Sequence, residues 1–295
     1  MQRHSGEIQF VTEIIDDGTP YLVDNPLIEI PDSIRQFNVS NLSRLLCSDE
    51  DSLKEFNSVF GMTGKESCVT IYTMIRENGS YLIPIIVGYS GRFMNGDVGP
   101  DIGYSHGAAF MLSNPKDWPE KMGDILDYLS DRYAGEVAIE VDEDWKMSKL
   151  QFGHQPQYVS LMSEFYGMRY DELLGWLVND DEAPRHSEGV VLSVMVSKPP
   201  FPVVEVPQGD QMQAANDAEK HIWRVIIGRC EVVFVSAYAD NLPNCRRRVF
   251  RTINRMLKYD NRIQYRTDGG YKLDFGRMSE VYERYSKDSK RSDSK

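Results

Sequence analysis

The stretch Asn95-Gly96-Asp97-Val98-Gly99-Pro100-Asp101-Ile102-Gly103 is the most informative part of the sequence. It holds three glycines, a proline and two aspartates within nine residues. Because glycine and proline weaken the interior of helices and strands alike, this composition predicts a loop. Such a loop brings backbone amides close to a ligand, and its carboxylates can hold hydroxyl groups or a metal-bound phosphate. An ordinary turn is the alternative that the same residues allow.

Composition and net charge indicate which kinds of partner the protein is expected to bind. The chain has 295 residues, of which 41% are hydrophobic and 26% are charged, as in a soluble globular protein. Its formal net charge of -12 argues against broad binding to nucleic acids or membrane surfaces, which need an excess of Lys and Arg. We therefore expect neither kind of partner. A local run of arginines within residues 246–255 is interpreted as a solvated helix face.

The cysteines and the apolar segments bear on location. Four cysteines are too scattered in sequence for a Cys-x-x-Cys metal site or a small disulfide framework. No secretory signal is recognised at the N-terminus, and no apolar run approaches the roughly 20 residues that span a bilayer. These observations predict reduced thiols and a cytoplasmic location.

Periodic patterns predict alternating hairpins and helices. Alternation and turn residues predict hairpins that join residues 7–14 to 20–24, 67–75 to 81–87, 135–141 to 145–152 and 221–227 to 231–237. Apolar residues at helical spacing predict helices over residues 38–46, 121–133, 158–177 and 242–257. A buried strand over residues 190–196 ends at the proline-rich segment 198–202. This order predicts an α+β fold with mixed sheets.

Four segments, taken in order, resemble the later part of phosphoribosylamine–glycine ligase, a family with the ATP-grasp fold. The family has a loop of the form GDxGPNTGGMG, and residues 96–107 read Gly-Asp-Val-Gly-Pro-Asp-Ile-Gly-Tyr-Ser-His-Gly. Residues 147–157 stand where the family has EFNxRFGDPE, and residues 190–202 stand where it has an apolar strand ending in proline. Gly-Arg at 228–229, the helix at 242–257 and Arg-Thr-Asp-Gly-Gly at 266–270 follow the order of the family's closing strand, helix and RxDIG motif.

The resemblance implies a division of the chain. Residues 1–60 would be an N-terminal hairpin and helix segment, and residues 61–198 an ATP-grasp-like subdomain. Residues 199–285 would be a small α/β C-terminal module, and the composition of residues 286–295 predicts a disordered tail.

The resemblance also implies a chemistry, in which Mg-ATP activates a carboxylate and an amine captures the acyl phosphate. The catalytic candidates under it are Asp97, Asp101 and Arg229. The cofactor-binding candidates are Gly96, Gly99, Gly103 and Arg266, where either Arg229 or Arg266 could meet phosphate oxygens bidentately. The candidate Mg²⁺ ligands are Glu140 and Asp142 beside one hairpin, or Glu13 and Asp24, with Asn25, in the first hairpin.

Departures from the family leave two functions open. Residues 147–151 lack the expected acid, and His154 stands where an Asp is expected. The part before residue 61 is too short for the family's nucleotide-type domain and its ATP-binding subdomain. The chain is therefore either a truncated or split ATP-dependent carboxylate–amine ligase or an inactive scaffold. As a scaffold it would bind a protein partner, complement a separate subunit or form a homo-oligomer. Carboxylates that converge in one cleft favour the ligase, and dispersed carboxylates favour the scaffold.

Overall fold

Antiparallel strand pairing organises the chain. The computed structural model describes residues 9–13, 20–24, 63, 65, 69–131, 133–152, 158–178, 182–186, 188–203, 212, 221–227 and 229–292. The strands are β1 (Gln9–Glu13), β2 (Pro20–Asp24), β3 (Val69–Ile75), β4 (Ile85–Met94), β5 (Val98–Met111), β6 (Gly135–Val141), β7 (Met147–Phe152), β8 (Val190–Ser197), β9 (Ile222–Ile227), β10 (Cys230–Ala239) and β11 (Gln264–Tyr265). They form one sheet in the order β1-β2-β9-β10-β8-β5-β4-β3-β6-β7, and β11 pairs with β8.

Helices cover both faces of this sheet. They are α1 (Met122–Ser130), α2 (Val159–Tyr166), α3 (Tyr170–Val178), α4 (Leu242–Met256) and α5 (Gly276–Ser292). Short 3₁₀ helices span Pro115–Asp117 and Tyr271–Asp274. The α+β prediction is confirmed by this arrangement. None of the described helices is both long enough and apolar enough to cross a membrane.

Side-chain alternation along the strands builds a core on each face. On one face Ile71, Phe110 and Val194 pack with apolar residues of α1, α4 and α5. On the other face Tyr72, Ala109 and Met195, each next to one of these in sequence, pack with α2 and α3. The central strands are therefore buried on both sides, which explains their long apolar runs.

The predicted helix faces and hairpins hold in most places. In α1 the buried residues are Met122, Ile125, Leu126 and Leu129, which is the stripe that the helical spacing predicts. In the first hairpin β1 pairs with β2 over the predicted residues. The helix predicted at residues 38–46 lies outside the described residues.

The loop prediction for residues 95–103 is wrong in part. Only Asn95, Gly96 and Asp97 form a turn, and β5 begins at Val98 and continues through Gly99, Pro100 and Gly103. Pro100 is tolerated because β8 pairs with β5 only from His106 onward, so the missing N–H of Pro100 leaves no ladder bond to that strand unmade. The pairing with β4 there is irregular, with register shifts on both sides of Arg92.

The predicted boundaries do not coincide with breaks in the sheet. Strand β2 pairs with β9, and β8 lies between β5 and β10. The tail predicted from residue 286 begins inside α5, whose helical backbone continues to Ser292. The apolar residues Met278 and Val281 of α5 are buried in the core, and this packing stabilises the start of the helix. The polar composition of residues 286–295 does not indicate it.

Candidate functional site

The glycine-rich stretch forms the tip of a two-stranded ribbon that extends beyond the sheet. Strand β3 pairs with β4 over residues 85–87, and β8 pairs with β5 over residues 106–110. Beyond these points β4 and β5 pair with each other, up to Met94 opposite Val98. At the tip Gly96 has φ 69° and Asp97 has φ 54°. Because aspartate is among the residues that tolerate the left-handed region, the turn can close with Asp97 beside the glycine.

Arg266, which follows β11, lies under this ribbon and is 2% exposed. Its Nη1 donates to Oδ1 of Asp97 at 2.7 Å, to Oγ of Ser90 at 2.7 Å and to the backbone oxygen of Arg92 at 3.0 Å. Its Nε donates to Oδ1 of Asp268 at 2.8 Å, and its Nη2 donates to Oδ2 of the same carboxylate. The guanidinium therefore binds Asp268 bidentately and Asp97, at the tip of the ribbon, through a single hydrogen bond.

Asp97 accepts hydrogen bonds from three side chains. Besides Arg266, the hydroxyl of Ser90 donates to its Oδ1 and the hydroxyl of Tyr271 donates to its Oδ2. Burial by itself raises the pKa of Asp97, but the hydrogen bonds from Ser90 and Arg266 outweigh it and hold the pKa below its ordinary value. Asp97 is consequently a charged acceptor whose two oxygens are both engaged.

Backbone and amide groups extend the same contact between the turn and the segment after β11. Asn95 and Thr267 exchange two hydrogen bonds, at 2.8 Å and 2.9 Å. The amide of Gly96 donates to Oδ2 of Asp268 at 2.8 Å. Burial by itself raises the pKa of Asp268, but the hydrogen bonds from Arg266 and Gly96 outweigh it. The pKa of Asp268 therefore lies below its ordinary value. We call Ser90, Asp97, Arg266, Asp268 and Tyr271 the Arg266 cluster.

His106 lies beside the Arg266 cluster on the same face of the sheet. It is fully buried, opposite Ser90 in the ladder, and its ring contacts Tyr271 edge-on at 5.6 Å. Among the described residues its Nε2 has no hydrogen-bond partner. Burial, followed by the positive charge of Arg266, lowers the pKa of His106 from 6.5 to about 3. The imidazole is therefore neutral at physiological pH.

The other candidates of the ribbon lie at its surface. Asp101 is exposed, and its Oδ1 accepts a hydrogen bond from the amide of Gly103 at 2.9 Å. Gly99, with φ 86°, leaves room for the side chain of Met94, and its carbonyl faces Arg92. Of the predicted residues the structure brings Asp97, Gly96 and Arg266 together, while the carboxylate of Asp101 accepts a hydrogen bond within its own strand, from Gly103.

Arg229 lies away from this cluster. It is exposed in the turn between β9 and β10, and β8 separates β10 from β5. The structure therefore does not bring Arg229 together with Asp97 and Asp101, the other two catalytic candidates.

The candidate metal ligands lie in two other hairpins. Oδ1 of Asp142, which is fully buried, accepts from the amides of Asp144 and Lys146 at 3.0 Å each, and its Oδ2 accepts from Thr63 at 2.9 Å. The carboxylate of Glu140 accepts from Gln151 at 2.6 Å. The bonds of Asp142 close the β6–β7 turn and connect it to Thr63, and the bond of Glu140 links β6 to β7.

Glu13 and Asp24 are separated by the register of the first hairpin. Glu13 pairs with Pro20 at the turn end, and Asp24 pairs with Gln9 at the open end. A strand rises about 3.3 Å per residue, so their backbone positions are too far apart for one cation between neighbouring side chains. Asn25, the third member of that set, lies outside the described residues.

The predicted residues do not fit Mg-ATP. Mg²⁺ needs carboxylate oxygens that are free to coordinate, but those of Asp97, Asp142 and Glu140 already accept from protein donors. Within the described ranges no group of three or more His, Cys, Asp or Glu side chains is placed to hold a metal ion. Arg266 is covered and its donors are directed at protein acceptors, so it does not present a fork to a phosphate.

Sequence reasoning missed Ser90, His106, Asp268 and Tyr271. Asp268 lies inside the Arg-Thr-Asp-Gly-Gly segment that the resemblance singled out, two positions from Arg266. Ser90 and His106 would have been paired by extending the strands through the glycines, but that pattern indicated a loop. Nothing in the sequence links Tyr271 to Asp97.

Solved structures with a low identity resemble this chain. A phosphoribosylamine–glycine ligase from Thermotoga maritima is 13% identical, with a TM-score of 0.45 over 68% of this chain and 55% of that one. A phosphoribosylglycinamide synthetase from Anaerococcus prevotii is 12% identical, with a TM-score of 0.43 over 74% of this chain and 60% of that one. A pyruvate carboxylase from Rhizobium etli is 14% identical, with a TM-score of 0.45 over 67% of this chain and 19% of that one.

The remote resemblance to phosphoribosylamine–glycine ligase is thus confirmed as a resemblance, and this chain spans 55% of the T. maritima protein. No family model matches the sequence. No curated protein matches it either.

Proposed function

We propose that this chain is a non-catalytic scaffold, derived from an ATP-grasp ligase, that binds a protein partner or completes a separately encoded subunit. The observation that best supports the proposal is the Arg266 cluster. The buried guanidinium pairs with both Asp97 and Asp268, and Asp97 is one of the acids that the resemblance implies at the substrate site. A carboxylate in a buried ion pair is poorly placed to bind a metal or a substrate amine, because either would have to displace the arginine.

The positions of the other acids support the same proposal. Asp142 and Glu140 belong to the β6–β7 hairpin, Asp101 is exposed on the ribbon, and Glu13 and Asp24 lie at opposite ends of the first hairpin. A ligase of this kind would need several carboxylates in one cleft to hold Mg²⁺ against the phosphates. The described carboxylates are instead dispersed, and those of Asp97, Asp142 and Glu140 close turns or tie strands together.

We also propose a reducing compartment, the cytoplasm, as the place of action. Cys230 and Cys245 are buried and neither forms a disulfide with a described residue, and burial raises the pKa of the Cys245 thiol to about 12. Buried thiols of this kind are inert, so they are compatible with a protein that carries no structural disulfide.

Titration of the purified chain with Mg-ATP and Mg-ADP tests the proposal. We expect no heat by calorimetry and no change in Tm at millimolar nucleotide, because the predicted oxygen ligands are already engaged. Micromolar binding would overturn the scaffold and restore the stand-alone ligase.

Two variants locate any nucleotide site that does appear. Asp101→Asn changes an exposed carboxylate of the ribbon without touching Arg266, so a loss of binding in this folded variant would place the nucleotide at the glycine-rich tip. Asp144→Asn is its matched control. The carboxylate of Asp144 is also exposed, but it lies in the β6–β7 hairpin and pairs with Lys65.

A further inference from the structure

Helix α4 carries a basic face in an acidic protein. It contains five arginines and no acidic residue, whereas the whole chain has a net charge of -12. The buried side of the helix consists of Leu242, Cys245, Val249, Ile253 and Met256. Arg247 and Arg251, which are exposed, lie opposite that stripe. Arg255, in the last turn of the helix, and Lys258, in the turn that follows it, are exposed as well.

The arginines of α4 differ in how they are used. Arg246 pairs with Asp274 at 2.7 Å, and Arg248 donates to the backbone oxygen of Tyr238 at 2.6 Å. The side chains of Arg247 and Arg251, one turn apart, make no ion pair or hydrogen bond with any residue in the described ranges. Like charges at this spacing destabilise a helix by a few tenths of a kcal/mol, so the pair is unfavourable in the isolated chain.

An exposed aromatic side chain follows these basic residues in the chain. Tyr259 is 56% exposed, directly after Lys258. Arginine and tyrosine are among the residues enriched at the centres of protein interfaces, where arginine binds carboxylates bidentately and tyrosine supplies rigid contact area. The combination of Arg247 and Arg251, whose side chains have no partner within the described ranges, with an exposed tyrosine therefore has the composition of a protein-binding surface.

We infer that the face formed by Arg247, Arg251, Arg255, Lys258 and Tyr259, which we call the α4 basic face, docks an acidic segment of a partner protein. This inference rests on the proposed scaffold function and assigns the surface that performs it. Charge complementarity identifies the partner: a segment rich in Asp or Glu supplies the carboxylates that Arg247 and Arg251 lack within the described chain.

The size of the α4 basic face favours a short protein segment over a larger polyanion. Helix α4 has 15 residues, which at about 1.5 Å per residue is a length of roughly 22 Å. A nucleic acid or a membrane surface extends well past this length and would meet the negative charge of the rest of the chain. A segment of two or three turns stays within the basic face, and at physiological salt charges more than about 8 Å away are largely screened.

Fluorescence anisotropy with a labelled oligoglutamate peptide tests the inference on the full chain. We expect the unmodified chain to bind the peptide at low salt, and Arg247→Glu/Arg251→Glu to weaken the binding at least about tenfold, which corresponds to 1.4 kcal/mol. Lys116→Glu/Lys146→Glu is the matched control: it reverses two exposed charges on other parts of the surface and should leave the binding within about twofold.

Several outcomes would overturn the inference. These are no binding by the unmodified chain, equal losses in the two double variants, and tighter binding of an oligothymidine of matched length through the same arginines. Circular dichroism of each variant checks that the fold is retained. Nucleotide titration of the same samples distinguishes the two proposals. Mg-ATP binding would contradict the proposed scaffold function, whereas a lack of peptide binding alone would contradict only the role of the α4 basic face.

Discussion

Nη1 of Arg266 donates a 2.7 Å hydrogen bond to Oδ1 of Asp97, a residue 169 positions earlier in the chain. This bond fixes the tip of the β4–β5 ribbon against the segment that follows β11. The same arginine holds Asp268, so one buried cation orders two turns that are remote in sequence.

Arg266→Ala should lower the free energy of unfolding by about 3 kcal/mol. Removal of the guanidinium leaves Asp97 and Asp268 without their shared cation, and breaking one side of a buried ion pair is strongly destabilising. Urea denaturation measures the change. Arg277→Ala is the control, because Arg277 and its partner Glu280 are exposed and such pairs contribute at most about 1 kcal/mol. Equal losses in the two variants would show that the Arg266 cluster contributes little to stability.

Stability should fall between about pH 6.5 and pH 4 because of His106. Its pKa in the folded chain is about 3, below the 6.5 of an ordinary histidine, so the unfolded chain takes up the proton first. The stability that neutral His106 contributes is therefore present above pH 6.5 and is lost as the pH falls toward 3. At 1.36 kcal/mol per pKa unit the loss between pH 7 and pH 5 is about 2 kcal/mol.

His106→Gln should flatten this dependence in urea unfolding curves measured across that range. If the variant keeps the full slope, another group carries it. Below pH 4 a second decline is expected in both proteins, because the pKa values of Asp97 and Asp268 are lowered in the folded state and their stabilisation is lost as they protonate.

Gly270→Ala should destabilise the chain by about 2–4 kcal/mol. Gly270 has φ 78°, and a Cβ there would lie 2.8 Å from Cδ1 of Leu242 and 3.3 Å from Cβ of Ala108. The alanine would therefore be strained in its backbone and overpacked in the core.

Gly123→Ala is the opposite case. A Cβ at Gly123, in the first turn of α1, meets nothing within 4 Å. We expect a gain of about 0.5 kcal/mol from the reduced entropy of the unfolded chain. Thermal denaturation of the two variants measures both effects, and a destabilised Gly123→Ala would contradict the packing described for α1.

Asp142→Ala should lower stability by about 1–3 kcal/mol, independently of Mg²⁺. The change leaves the amides of Asp144 and Lys146 without the buried carboxylate that accepts from both of them. Glu143→Ala, an exposed neighbour in the same turn, should change stability by less than about 0.5 kcal/mol. A rise in Tm of the unmodified chain on addition of Mg²⁺, abolished by Asp142→Ala, would instead support the metal-ligand role that the resemblance implies.

Local patterns were sufficient to predict much of the fold. The apolar spacing of α1 and α4 and the turn at Asn78-Gly79 each reflect contacts within a few residues, and all three are found in the structure. The glycine-rich ribbon was misjudged because Gly99, Pro100 and Gly103 disfavour a strand locally. Pairing with β4, which single-residue preferences do not contain, overrides that preference.

The candidate site was harder to predict for the same kind of reason. Asp97 and Arg266 were both singled out, but as separate ligands of a substrate rather than as partners of each other. Their contact depends on the register of β11 on β8 and on the close approach of Gly269, whose added Cβ would lie 2.9 Å from Val194. Such tertiary distances are absent from one sequence.

The pairing of β2 with β9 has a consequence for how the chain is made. Val23 is opposite Ile227, so the N-terminal hairpin leaves the ribosome long before its neighbouring strand has been synthesised. Closing so long a loop adds little to the equilibrium cost, about 0.6 kcal/mol per doubling of length, but non-local contacts slow folding. Until β9 emerges, the outer edge of β2 has unpaired N–H and C=O groups, and it is there that two nascent chains would join.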